Sequence, residues 1–328
     1  MRFLYWSFVN PIPVFVEVIF PLALVWLAGF LARRFLHLDP QPFSRIGLYL
    51  LTPTVTFTSL MSSQISADEG WRIVIVVFAL MAALWLLASM QSRLLRLSPE
   101  DSSAFVLVSI IINAVNYGFP VTLLAFGETG LERAAIFAGA HSIVSNTLGA
   151  YIAARGRASG IGTAARQALR IPMLYAVLLA LVLRAAGISF SGTISIAGMA
   201  IPLLPSVYRA IQLLAQAAVP IFMLVLGMQL ADTEGRKSAA QPSNLATSLA
   251  SLTRLVISPV IAWSLAQAVG LGLLATRVTV LEAAMPSAVL TVILATEFKA
   301  QPHFAARVVV ITTLFSMITL TLLLSALR

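Results

Sequence analysis

Charged residues in this chain are spaced so that long apolar runs fall between them, and no other feature constrains the fold as tightly. A helix needs about 20 mostly apolar residues to cross a bilayer. Seven stretches meet that need with no Asp, Glu, Lys or Arg inside: Ile46 to Ala67, Ile73 to Ser92, Ser102 to Gly127, Ala134 to Ala154, Ala210 to Ala231, Leu255 to Thr276 and Val308 to Leu327. Three more are interrupted: Ile12 to Ala32 holds Glu17, Val278 to Thr296 holds Glu282, and the run from Ile171 is cut by Arg184. Together they predict an all-α membrane protein of ten transmembrane helices. The stretch Ala185 to Tyr208 is charge-free but broken by Gly187, Gly192, Gly198, Pro202 and Pro205, and reads as an interfacial connection. With 59% hydrophobic and 10% charged residues, the chain has no polar surface with which to cover itself in water, which excludes an ordinary soluble enzyme. The first apolar run is too long for a removed signal peptide and lacks a small-residue cleavage site, so it is expected to stay as a helix.

Basic residues exceed acidic ones by nine, but no block of Lys and Arg forms the stripe that nucleic acid would require, so no nucleic-acid partner is expected. Membrane topology explains the excess instead. With ten spans, one alternate set of loops holds 14 Lys and Arg, among them Arg33, Arg34, Arg93, Arg96, Arg155, Arg236, Lys237 and Arg254, and the other set holds 7. The richer set is expected to be cytoplasmic, with both termini outward and the protein in the bacterial cytoplasmic (inner) membrane. Cysteine is absent, and HExxH, GxxxxGK[ST] and GxSxG do not occur, so neither a cofactor, a metal cluster nor an enzyme activity is expected. The tract Ser238 to Thr253 reads as a cytoplasmic linker without chemistry.

Ten spans divide into five and five, and an odd number per half inverts a duplicated half relative to its twin. Shifted by 169 residues, Ala114 to Glu128 lies over Ala283 to Glu297, so a proline-broken fourth span meets a proline-broken ninth; Pro53 answers Pro220 at an offset of 167. The expected units are residues 1–154 (helices 1–5), a cytoplasmic linker at 155–170, and 171–328 (helices 6–10).

Candidate chemistry gathers at the breaks. In Asn113-Ala-Val-Asn116-Tyr117-Gly118-Phe119-Pro120, proline removes a donor and glycine loosens the turn, so an unwound stretch at this depth must be buried or line a wet cavity. A half-helix N-terminus offers donors and positive charge to a carboxylate, and Asn offers both donor and acceptor. A plain kink with both asparagines bonded to a neighbouring helix is the alternative. Met285-Pro286-Ser287 stands at the repeat-related position, and paired breaks are the best sequence pointer to a transporter's midplane site. The substrate-binding candidates are therefore Asn113, Asn116, Tyr117, Gly118, Pro120, Met285, Pro286 and Ser287, together with His141 and Asn146 on the fifth span. Glu282, His141 and Glu17 are the ionisable groups inside spans, and hence candidates for coupling to a proton or sodium ion. Glu282 has an equally weighted alternative as an interfacial carboxylate paired with Arg277, and Glu17 reads more readily as interfacial.

Asn116 to Pro120, followed by Ala125-Phe-Gly-Glu-Thr-Gly-Leu131, resembles the fourth-to-fifth helix signature of the auxin efflux carrier family in its bacterial branch. Leu226-Gly-Met-Gln-Leu230 after Pro220 resembles that family's seventh helix, Arg254 to Pro259 its eighth, and Ala284-Met285-Pro286 to Glu297 its ninth. The resemblance implies two inverted five-helix repeats, a fold like that of NhaA-like carriers and bile acid symporters, with a scaffold and a transport domain. It also implies crossing helices 4 and 9 at the substrate site, and a secondary carrier for a small organic anion. By similarity Asn116 and Pro120 mark the first crossover and Pro286 the second, while His141 stands where relatives often carry another polar residue. The alternatives are a sodium-coupled bile-acid-type symporter, a non-transporting receptor and a channel. Membrane lipid, an organic anion and a second copy in a homodimer complete the expected partners.

Overall fold

Prolines punctuate the helices, and the helices widen to accept them. The structure, a computed structural model, describes residues 10–153, 172–188, 190, 194–196, 199–234, 243–297 and 300–327. Its helices are α1 (Pro11–Leu36), α2 (40–62), α3 (Ala67–Leu94), α4 (Pro99–Ile110), α5 (Phe119–Ala153, divided at Gly127), α6 (Pro172–Ala185), α7 (Leu203–Glu234), α8 (Asn244–Val269), α9 (Leu273–Ala283), α10 (Leu290–Glu297) and α11 (Pro302–Leu327). Four π turns, Phe15–Ile19, Gly47–Leu51, Ala114–Gly118 and Thr253–Ile257, each end two residues before a proline: Pro21, Pro53, Pro120 and Pro259. A proline ring collides with the carbonyl four residues back and leaves it without a donor. One extra residue in the turn relieves the collision. The N–H of Phe20, Thr52 and Ser258 accordingly reaches back five residues, to Phe15, Gly47 and Thr253, so these helices pass through their prolines unbroken.

Helices α1, α3, α7, α8 and α11 are long and apolar enough to cross a membrane. Their outward faces carry large exposed apolar side chains such as Leu24, Leu31, Phe78, Leu86, Phe315 and Ile318, which suits lipid as the surrounding solvent. The chain is an integral membrane protein, and it is mostly helical. α1 packs on α7, and α2 on α6 and α7; α3 packs on α4, α5 and α8, α9 on α5 and α8, and α11 on α4 and α10. The α1–α7 contact is backbone against backbone. A Cβ added at Gly29 would run into the Leu224 carbonyl, and one added at Gly227 into the Trp26 carbonyl, so only glycine allows the approach. Arg33 Nε joins Asp232 Oδ1 at 2.5 Å at one end of the same pair.

Three boundaries differ from the sequence expectation. Ser243 caps the start of α8, its side chain accepting from the Ala246 N–H, so residues 243–253 belong to a membrane helix rather than a linker; residues 235–242 lie outside those described. α8 ends at Val269 and turns at Gly270 with φ +73°, so the charge-free stretch Leu255 to Thr276 runs through a turn. Arg254 is 0% exposed in the middle of α8 and is no loop residue. Removing it leaves 13 basic residues in the richer set against the same 7. Within the interfacial connection, Ile194–Ile196 and Met199–Ile201 pair as an antiparallel hairpin, and α7 begins at Leu203, seven residues before Ala210. The linker expected at 155–170 lies outside the described residues.

Candidate functional site

Between α4 and the π turn at 114–118 the backbone runs extended through Ile111 to Asn113, and between α9 and α10 it opens over residues 284–289. The two openings meet. Asn113 N–H donates to the Pro286 carbonyl at 2.9 Å, Ala288 N–H to the Ile111 carbonyl at 3.1 Å, and Ile112 faces Ser287 as an antiparallel pair. Lipid offers no partner to backbone groups freed at this depth, so they must find one in the protein or in a cavity. Ile112 N–H donates to His141 Nε2 at 3.0 Å. Ser287 N–H donates to Thr312 Oγ1 at 3.2 Å, and Ser287 Oγ–H to the Val108 carbonyl at 2.6 Å.

One carbonyl at the end of each interrupted helix is taken by a buried cation. Arg254 Nη1 donates to the Ser109 carbonyl at 3.0 Å, and Nη2 donates to Ser258 Oγ and to the Ala283 carbonyl; Ser258 Oγ–H shares that carbonyl at 2.8 Å. Ser109 lies in the last turn of α4 and Ala283 ends α9, so a single guanidinium faces the negative ends of both interrupted helices. The positive ends, the π turn leading into α5 and the start of α10, open elsewhere. A cavity of about 250 Å³ is lined by Ile112 to Asn116 and by Ala288 to Leu290, with His141, Ser145, Ser44, Thr52 and Gln229 adding polar groups. First-turn N–H groups have no partner in their own helix, so helix N-termini from two elements flank one cavity, although at α10 the Thr291 and Val292 N–H groups already bond back to the Ala288 and Val289 carbonyls at 3.0 and 2.9 Å. A second cavity, of about 500 Å³, lies between α2, α7 and the start of α5 and shares none of these residues; Phe119, Glu128, Glu132 and Phe222 are among its walls.

The sequence candidates separate accordingly. Asn113, Asn116 and His141 line the smaller cavity. His141 also props the break, and Ser145 Oγ lies 3.0 Å from its Nε2. Tyr117 turns away, its hydroxyl accepting from Ser316 Oγ at 3.3 Å on α11. Ser287 and Met285 are fully buried behind the crossing, and Pro286 contributes its carbonyl to it, so these residues shape the breaks without lining the cavity. Pro120 is buried just beyond the π turn. The side chain of Asn146 lies outside those described. Glu282 is 0% exposed, which removes it from any interface; its Oε1 accepts from Thr122 Oγ1 at 2.9 Å, and Oε2 lies against Gly118. Glu17 is exposed on the π turn of α1 and lines neither cavity. Sequence reasoning missed Arg254, Thr122 and Gln229.

A family model described as membrane transport protein matches residues 14–324. An uncharacterized transporter of Methanocaldococcus jannaschii is 25% identical across 93% of this chain and 96% of its own length. An uncharacterized transporter of Methanothermobacter thermautotrophicus is 27% identical across 87% of this chain and 88% of its own. Both relatives are archaeal, so they speak to the family and not to its bacterial branch. Coverage of nearly the whole chain decides the assignment: the protein belongs to the membrane transport protein family, that of the auxin efflux carriers, and is a membrane transporter for a small-molecule substrate.

Proposed function

We propose that the protein is a secondary carrier of a small organic anion, with Asn113, Asn116 and the two half-helix N-termini forming the binding site. The observation that carries this reading is the sorting of helix ends. Two positive ends and two asparagines line one cavity, while both negative ends are already occupied by Arg254. A carboxylate completes such a site and a cation does not. The cavity volume of about 250 Å³ lies below the roughly 300 to 1,000 Å³ of ordinary ligand pockets, and suits a small mono- or dicarboxylate better than a bulky sterol acid.

The carbonyls that a sodium ion would seek at the crossing belong to Arg254, which argues against the sodium-coupled bile-acid-type alternative. The carrier works by alternating access, with residues 1–154 and 171–328 as inverted repeats, helices α1, α2, α6 and α7 as scaffold, and the remaining helices as the moving bundle. It resides in a cytoplasmic membrane with both termini outward, and catalyses no covalent chemistry. Uptake of labelled indole-3-acetate, malate and malonate into proteoliposomes, compared with protein-free vesicles, tests the reading. Saturable uptake of one acid, lost in Asn116→Ala while the variant still elutes as folded protein, supports it; uptake of none by folded protein refutes it.

A further inference from the structure

We propose that Glu282 is a proton-binding site that is charged in the empty carrier and takes up one proton when the organic anion enters the cavity. The inference rests on the carboxylate reading above and names its coupling ion. The carboxyl group is 0% exposed, Oε1 has Thr122 Oγ–H as donor, and Oε2 has no hydrogen-bond partner. Among the described residues no basic side chain donates to it, and a buried carboxylate so poorly paired costs several kcal/mol unless something nearby changes its charge balance.

The surrounding charges supply that balance, and they come out even with only one anion present. Each helix end carries about half an elementary charge. Arg254, through Ser109 and Ala283, cancels the two negative ends. The two positive ends at the cavity then leave about one unit of positive charge. One anion neutralises it: the Glu282 carboxylate when the cavity is empty, the substrate when it is full. Both at once leave an uncompensated negative charge in a low-dielectric interior, so substrate binding favours protonation and protonation favours substrate.

The chain connects the two sites directly. Asn116 lines the cavity and Gly118, two residues along the same π turn, touches the Glu282 carboxyl; a methyl group at Gly118 would occupy the same space. The other ionisable groups facing Glu282 do not compete for the role. Arg254 on α8 is held by carbonyls, Tyr117 on the π turn bonds Ser316, and His141 on α5 accepts an N–H through Nε2 and so is neutral there. On α3, Asp68, Glu69 and Arg72 cluster at the end away from Arg93, and on α11, His303 and Arg307 lie in the first two turns. Arg277 stands five residues before Glu282, toward the start of α9.

The first test needs no substrate. Infrared difference spectra of the full-length protein in lipid, recorded between acid and alkaline pH, are expected to contain a protonated-carboxyl band that is absent from Glu282→Gln and retained in Glu17→Gln. The second uses an acid found to be transported in the proteoliposome panel, with the membrane potential clamped at zero. One proton per anion gives about tenfold accumulation for each unit of inward pH gradient. Glu282→Gln is expected to lose that accumulation and to keep exchange of labelled for unlabelled acid. Wild-type-like gradient-driven accumulation by Glu282→Gln overturns the proposal, as does a carboxyl region of the difference spectrum that the substitution leaves unchanged. Should Glu282→Gln not fold, Thr122→Val decides: it is expected to move the pH midpoint of the band, and an unmoved midpoint overturns the proposal. Absence of any acid transport by the wild type, with the Glu282 band present, rejects the carboxylate reading alone.

Discussion

The bond between the Ile112 N–H and His141 is the single point at which the first break depends on a side chain for a backbone donor, and His141→Leu isolates it. Leucine keeps apolar bulk beside Phe137, whose ring lies 6.3 Å from the imidazole centre to centre, so the packing change is small. What is lost is the acceptor. The Ile112 N–H, 3.0 Å from Nε2, loses its only protein acceptor among the described residues, at a cost of about 1–3 kcal/mol. Ser145 Oγ–H, which also reaches the ring, can turn to a carbonyl of its own helix, so it adds little. Hydrogen exchange read by mass spectrometry over a peptide spanning residues 111–113 is the assay. Opening of the break is expected to become about five- to 150-fold easier, with exchange faster in proportion. His141→Gln, whose side-chain oxygen accepts, is expected to recover most of the protection. Wild-type exchange in His141→Leu would show that the break is held by the Asn113–Pro286 and Ile111–Ala288 bonds without the histidine.

Gly227→Ala pushes a methyl into the Trp26 carbonyl, so α1 and α7 must part; a loss of about 1–3 kcal/mol is expected in detergent thermal stability, whereas Gly139→Ala, with nearest neighbours at 3.7 Å, is expected to be tolerated. Arg254→Met leaves the Ser109 carbonyl unpaired and the α4 and α9 ends uncompensated, whereas Arg254→Lys keeps the charge; chromatographic recovery after heating is expected to fall further for Met than for Lys. Asp232→Asn breaks an ion pair whose side chains are 31% and 37% exposed, and a change below about 1 kcal/mol is expected by the same assay.

The second break was legible because Pro286 stands inside it; the first lies at Ile111 to Asn113, ahead of Gly118 and Pro120, which the helix absorbs through the π turn at 114–118 as it absorbs Pro21, Pro53 and Pro259 elsewhere. Which side chains face the cavity was not legible, since the direction of a residue beside a break depends on what crosses it. Ser287 was expected at the site and instead secures Val108 and Thr312, partners far away in sequence. Arg254 was missed for a different reason. Treating each charge as the end of a span assigns every arginine to a loop. The corrective signal was present: Ala250, Arg254, Ser258, Ala262 and Ala266 recur every four residues, are all buried, and form one narrow stripe of small side chains on α8. An arginine on such a stripe cannot reach solvent, so it must have acceptors inside.

Burying Arg254 carries a desolvation penalty of several kcal/mol, which is offset only where two helix ends and a hydroxyl converge on the guanidinium. That requirement ties α8 to α4 and α9. Thr253 Oγ1–H donates to Gln91 Oε1 at 3.1 Å and adds α3, Arg133 Nε pairs with Glu69 Oε1 at 2.7 Å and adds α5, and Thr122 joins α5 to α9 through Glu282. On the other side, Arg33 pairs with Asp232 across α1 and α7, Gln229 Nε2 donates to Ser44 Oγ at 3.1 Å across α7 and α2, and Arg184 Nη1 donates to the Leu60 carbonyl at 2.9 Å across α6 and α2. These ties fall within one group of helices or the other. Between the groups lie the two cavities, the contact of Ser142 Oγ with Met173 Sδ at 4.0 Å, and packing of α1 on α11, of α2 on α5 and of α7 on the π turn at 114–118. Directional bonds resist shear more than apolar contact does, so the alternating access proposed above is expected to follow this seam and to carry the crossing at Asn113 and Pro286 with one group of helices.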